Sequence, residues 1–256
     1  MLIDDWNGRP VSTARSRGGV LALSRVADAL LDVAPWPQPE VLQKLYKSNR
    51  ETSFSPDELA ILTADLGYYC DLQSVHSEDT ITFNFFGTMG SMATQVLNWL
   101  GEQLGMPGGN DHCDVSLWRR IPHPETLVSG GPELDALLVG DRTVVAVEAK
   151  WRSKEGVGQG TAHDRTQLDL RNEWFAKFGP QVFGDRNMLV VGVSAYQDDL
   201  LLPESRTHWV TMAAMTWRQL ESCSVHPHID EYRRYHRWKV EHSTWGIRRG
   251  SPVADP

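Results

Sequence analysis

Two acids and a lysine carry the most chemistry in this chain. Glu148 and Lys150 end an apolar run, Arg142-Thr-Val-Val-Ala-Val-Glu148-Ala-Lys150-Trp151. Asp135 lies in the apolar run before it, Pro132-Glu-Leu-Asp135-Ala-Leu-Leu-Val-Gly. Side chains alternate along a β-strand, so Glu148 and Lys150 share a face. Two strands joined by the short Gly140-Asp141 connection would set Asp135 beside that pair. Charges flanked by Leu134, Leu137, Val145 and Val147 are costly unless paired or metal-bound. One lysine does not balance two carboxylates, and a Mg²⁺ ion completes the charge. Two carboxylates and an ammonium at a sheet edge can hold a divalent metal against a phosphodiester. In that chemistry Asp135 and Glu148 hold one or two Mg²⁺ ions, with Mn²⁺ as a substitute. The metal lowers the pKa of a bound water, while Lys150 orients that water and stabilises charge in the transition state. The plain alternative is an ion pair at the sheet edge.

Positioning these residues requires particular elements. Apolar patterning predicts strands at 114–121, 133–139 and 143–151, then a helix over 162–178. The near-continuous apolar run 187–195 reads as a strand covered on both faces. A last strand is expected at 208–215 and a helix from Trp217. A right-handed crossover through the 162–178 helix makes strand 187–195 parallel to 143–151. The expected fold is therefore α/β, a mixed central sheet flanked by helices. Upstream, residues 80–86 look strand-like and 87–104 helical, with Ser91, Gln95, Asn98 and Glu102 on one face. Residues 1–20 read as a polar arm, 20–33 and 40–47 as helices, and Ser55-Pro56 as the capped start of another. The organisation expected is an N-terminal helical region (1–78), a core (79–222) and a basic aromatic tail (223–256).

The order Asp135…Glu148-x-Lys150 resembles the signature of the PD-(D/E)xK nuclease superfamily, over roughly residues 85–195. The resemblance implies a restriction-endonuclease-like core of helix–strand–strand–strand–helix–strand and a Mg²⁺-dependent endonuclease. The family's proline usually stands directly before the first acid; here Pro132 stands three positions earlier. The resemblance also implies a metal ligand in the carbonyl of Ala149, and a role for Gln167, since many members place a glutamine on the following helix. Gln167 and Arg171 share a helix face, which serves equally as a nucleic-acid contact or as a solvated surface. Glu102 and Glu133 are lesser acid candidates, and Glu173 lies too far along its helix to be attractive. A glycine-rich loop at 155–160 reads as a flap over the site, with His163 near it.

The net charge of −8 argues against indiscriminate coating of nucleic acid, so a phosphate-binding surface must be local. Arg233, Arg234, Arg237 and Lys239 stand among aromatics in the tail, and Arg248-Arg249 follow. That segment suits backbone binding and base stacking, or equally a packed helix with its arginines in water. Cys223-x-x-His226-x-His228 lacks the further ligand of a zinc site. The three scattered cysteines and a start without signal-peptide character suggest a cytoplasmic protein. No run approaches a membrane span. The expected partner is DNA in preference to RNA, in a restriction, phage-defence or repair setting. A homodimer or a partner subunit is compatible with the sequence. A non-cleaving nucleic-acid-binding protein of the same fold, or an RNase, is the alternative.

Overall fold

The computed structural model describes residues 1–33, 39–106, 108–122, 133–151, 165–196 and 202–243. The chain divides into two compact units, residues 1–80 with 230–256, and residues 81–229.

The first unit contains a three-stranded antiparallel sheet, β1 (Leu2–Asp4), β2 (Pro10–Arg15) and β3 (Leu21–Leu23), in that order. This corrects both the polar arm and the 20–33 helix, and with them the purely helical N-terminal region. Thr13 hides the pattern: it is buried, and its Oγ1 donates to the Met1 carbonyl at 3.0 Å. Leu21, Ala22 and Leu23 are all buried, so a strand covered on both faces mimics helical spacing. Gly19, at φ +83°, lies in the connection between β2 and β3, a conformation that favours glycine. The short helices α1 (Pro39–Leu42), α2 (Pro56–Thr63) and α3 (Glu78–Thr82) follow. α2 carries the expected cap, Ser55 Oγ accepting from Glu58 N and Glu58 Oε2 from Ser55 N. The C-terminal helix, Ile229–His242, buries Tyr232, Tyr235 and Trp238. Trp6 packs edge-on against Tyr235 and Trp238, at ring-centre distances of 4.9 and 5.6 Å.

In the second unit a π-helical turn, Phe83–Gly87, occupies the segment expected as a strand. Phe83, Asn84, Phe85 and Phe86 are all buried there, so periodicity could not separate strand from helix. Then come α4 (Ala93–Gln103), β4 (Cys113–Arg120), β5 (Glu133–Gly140), β6 (Thr143–Ala149), α5 (Gln167–Phe183), β7 (Asn187–Ser194), β8 (Val210–Thr216) and α6 (Trp217–Leu220). The strands form one mixed sheet in sequence order, antiparallel from β4 to β6 and parallel from β6 to β8. The helix–strand–strand–strand–helix–strand order read from the sequence is thus present as α4-β4-β5-β6-α5-β7.

β6 is buried at every residue, as its run of valines and alanines requires of a central strand. Leu168, Trp174 and Phe175 of α5 pack against Leu137, Val144, Ala146, Met188 and Val190 of the sheet. Gly140, the last residue of β5, leaves no room for a side chain: a Cβ there would run into Leu97 of α4 and the Asn110 side chain. Asn110 Oδ1 accepts from Arg142 N (2.8 Å) and Thr143 N (3.1 Å), pinning the β5–β6 hairpin. Asn98 of α4 in turn holds Asn110, accepting from its backbone N–H and donating to its carbonyl, both at 2.9 Å. Asn98, expected on a polar face, is thus a clasp between α4 and the hairpin.

Candidate active site

Antiparallel register decides which residues meet at the end of β5 and β6. The last paired residues are Ala136 and Val147; Asp135 and Glu148 follow on either side of the opening. Asp135 Oδ2 accepts from Ala149 N at 2.6 Å, so a carboxylate takes over where the ladder ends. On its other side β4 also departs from regular pairing. Leu117 pairs with Ala136 and Arg119 with Leu134, but Trp118 between them adopts φ +53°. A buried tryptophan in the left-handed region is a strained arrangement. Both neighbours of β5 therefore break step at Asp135, which is half-buried.

Glu148 is 1% exposed and engages two cations. Its Oε1 accepts from Lys150 Nζ at 2.8 Å and its Oε2 from Arg171 Nη2 at 3.0 Å. Lys150 Nζ also donates to the Ala149 carbonyl at 3.0 Å. The lysine backbone is fixed by its N–H on Val193 O (2.7 Å) and by Trp217 Nε1 on its carbonyl (2.8 Å). Arg171 Nη2 reaches Glu133 O at 2.7 Å, tying α5 to the start of β5. Asp135, Glu148, Ala149 and Lys150 are thus one cluster at the carboxyl end of β6.

Arg171 corrects two expectations. It is 1% exposed, not a solvated residue of α5 that a nucleic acid could touch. The reason is helical spacing: Leu168, Arg171 and Phe175 form the stripe that lies on the sheet. It also brings a second cation to Glu148, where the sequence counted Lys150 alone. Gln167 is the first residue of α5 and half-buried.

The donors suit a hard cation: a carboxylate from Asp135, Glu148 Oε1 and the Ala149 carbonyl are all oxygens. The Lys150 ammonium bridges two of them, standing where a cation would be held. Among the described residues no group of three or more His, Cys, Asp or Glu side chains is arranged to hold an ion. A divalent ion here would complete its shell with water and substrate oxygens, as Mg²⁺ commonly does. The residues fit such an ion.

Lys239 also departs from expectation. It is fully buried in the first unit, its Nζ donating to Val75 O (2.5 Å) and Ser77 O (2.9 Å). The aromatic stripe of the C-terminal helix carries it inward. Arg233 pairs with Asp230 at 2.8 Å, Arg234 donates to Asn7 Oδ1 at 3.0 Å, and Arg237 Nε reaches Arg233 O at 3.2 Å. Arg234 and Arg237 are exposed. Glu102 is exposed, and Glu133, half-buried, lies across from Arg120 at 3.6 Å. Glu173 pairs with Arg165 and, at 3.7 Å, with Arg206. His226 donates from Nε2 to Phe85 O at 2.9 Å and stacks on the Phe85 ring, which is a packing role. Pro132, the 155–160 loop, His163 and Arg248-Arg249 lie outside the described residues. Arg119 and Arg120, exposed basic residues at the end of β4, pair with Leu134 and Glu133 just before Asp135 and do not stand out in the sequence. Their only signal was adjacency to a strand end.

No protein-family model, curated protein or solved structure matches this chain. Among the described residues no helix is long and apolar enough to cross a membrane.

Proposed function

We propose that this chain is a divalent-metal-dependent nuclease of restriction-endonuclease-like architecture, hydrolysing phosphodiester bonds in DNA. The observation that carries the reading is the junction of Asp135, Glu148, the Ala149 carbonyl and Lys150 at one strand end, bound through Lys150 Nζ and the Ala149 N–H. Asp135, Glu148 Oε1 and the Ala149 carbonyl would hold the ion. Mg²⁺ or Mn²⁺ supplies Lewis acidity there and a bound water of lowered pKa.

The chain's own residues do the rest. Lys150, released from Glu148 Oε1, would set its charge against a water or a non-bridging phosphate oxygen and oppose the charge developing in the transition state. Arg171, through its hydrogen bond to Glu148 Oε2, would keep that carboxylate oriented. Burial of Glu148 and Lys150 strengthens each of these interactions by excluding water. Arg119 and Arg120 offer cationic contacts for the phosphate backbone beside the opening. Restriction, phage defence or repair is the setting suggested by analogy of architecture alone.

A second reading has its own observation. Glu148 is saturated by Lys150 and Arg171, which also describes a staple between α5 and the sheet in a protein that binds nucleic acid without cutting it. Incubation with matched DNA and RNA duplexes, in Mg²⁺, Mn²⁺ or EDTA, separates the readings. The expected result is DNA cleavage in either metal and none in EDTA. Cleavage of RNA alone would reassign the substrate, and binding without products in every condition would favour the staple.

A further inference from the structure

One end of the five-stranded sheet collects the proposed chemistry. Antiparallel register sets the carboxyl end of β4 beside the amino end of β5, and the parallel strands β6 and β7 finish on that same side. Along it stand Arg119 and Arg120 on β4, Asp135 on β5, and Glu148 with Lys150 at the end of β6. Next in line is the end of β7. Lys150 N donates to Val193 O at 2.7 Å, and three residues past that carbonyl the chain presents Tyr196, 52% exposed. Buried Ser194 anchors the step, its Oγ donating to the Tyr196 carbonyl. A lone exposed tyrosine is ordinary on a protein surface. Its place is what counts here. Of the Phe, Trp and Tyr residues among those described, only Tyr46 and Tyr196 are exposed. Tyr46 belongs to the first unit, whereas Tyr196 stands at the strand ends that carry the acids.

We infer that Tyr196 is a base-stacking residue, and that the favoured substrate presents an unpaired base beside the scissile phosphodiester. The inference rests on the nuclease reading above. From β4 to β7 is three strand spacings, about 14 Å. That is about four nucleotides of a stacked strand. A strand laid across these ends meets arginines at one flank, the acids and Lys150 in the middle, and the tyrosine at the other flank. Arginines take phosphates, and a tyrosine ring takes the flat face of a base. In a continuous duplex each base is already covered by its neighbours, and uncovering it costs free energy. A fork or a single-stranded arm offers that face at little cost. Every base has such a face, so stacking selects strand structure and not sequence.

The test compares a forked DNA with a fully paired duplex of the same sequence around the cut. For wild type, kcat/KM on the fork should exceed that on the duplex about tenfold, within the range that base stacking contributes. Tyr196→Phe should keep this ratio, and Tyr196→Ala should bring it close to one, with melting curves confirming that each variant folds. A readout independent of cutting is the fluorescent base analogue 2-aminopurine in the unpaired arm, bound in EDTA. Wild type and Tyr196→Phe should quench it, and Tyr196→Ala should not. A wild-type ratio near one, or an unchanged ratio in Tyr196→Ala, overturns the inference and leaves the nuclease reading standing. If neither DNA is cut in Mg²⁺ or Mn²⁺, the nuclease reading falls and the quench decides for Tyr196. Quenching lost in Tyr196→Ala then supports the stacking role, and its absence in wild type overturns it.

Discussion

Individual side chains in this protein owe their behaviour to what encloses them. The His226 ring is satisfied as the neutral form, Nε2 donating to Phe85 O and Nδ1 accepting from His228 N at 3.1 Å. Burial, assisted by the charge of His228 and opposed by the Phe85 carbonyl, pushes its pKa down to about 4. The unfolded chain therefore binds the proton first, and stability falls as pH drops from 6.5 towards 4. Between pH 7.5 and 5 the loss should be about 2 kcal/mol, measured by urea unfolding, and His226→Gln should remove most of it. The lowered carboxyls of Glu51 and Glu58 act only below their ordinary 4.5, outside that interval. Cys113 and Cys223, pushed up by burial to about 12 and 11, should resist alkylation at pH 7.5 until the protein unfolds. At this scale the sequence made Asp135, Glu148 and Lys150 visible, because charges inside apolar runs are conspicuous. Arg171 was expected on an outward face, because only the packing of α5 shows which stripe faces the sheet.

Elements supply the registers that bring those residues together. The β5–β6 hairpin and its parallel neighbour β7 were legible, since long valine-rich runs with a short connection admit few arrangements. The N-terminal strands and the π-helical turn were not: β1 and β3 have three residues each, β2 buries the polar Thr13, and a buried helical turn leaves no periodicity to read. The Asn98–Asn110 clasp was invisible for another reason, being a contact between segments whose approach no local pattern announces. Asn110→Ala leaves the Arg142 and Thr143 N–H groups without their acceptor, and should destabilise the protein by about 1–3 kcal/mol in chemical denaturation. Its effect on cleavage should follow, because the same hairpin sets Asp135 across from Glu148. Lys239→Met should be costly to the first unit by a similar amount, about 1–3 kcal/mol, since the Val75 and Ser77 carbonyls lose their donor.

The whole molecule carries a net charge of −8, so any attraction to nucleic acid must come from local basic residues. Arg119, Arg120, Arg234 and Arg237 are exposed. If Arg119 and Arg120 each meet a phosphate, replacing both by alanine should reduce the salt slope of DNA binding by about two, without abolishing Mn²⁺ uptake. The most direct test of the central claim is cleavage of supercoiled plasmid in Mg²⁺ by wild type, Asp135→Asn and Lys150→Ala, each checked for folding by its melting curve. Nicking or linearisation by wild type alone, abolished by EDTA, is the expected result. Equal cleavage by the folded variants would contradict the assignment of the site, and no cleavage by wild type in Mg²⁺ or Mn²⁺ would contradict the nuclease itself.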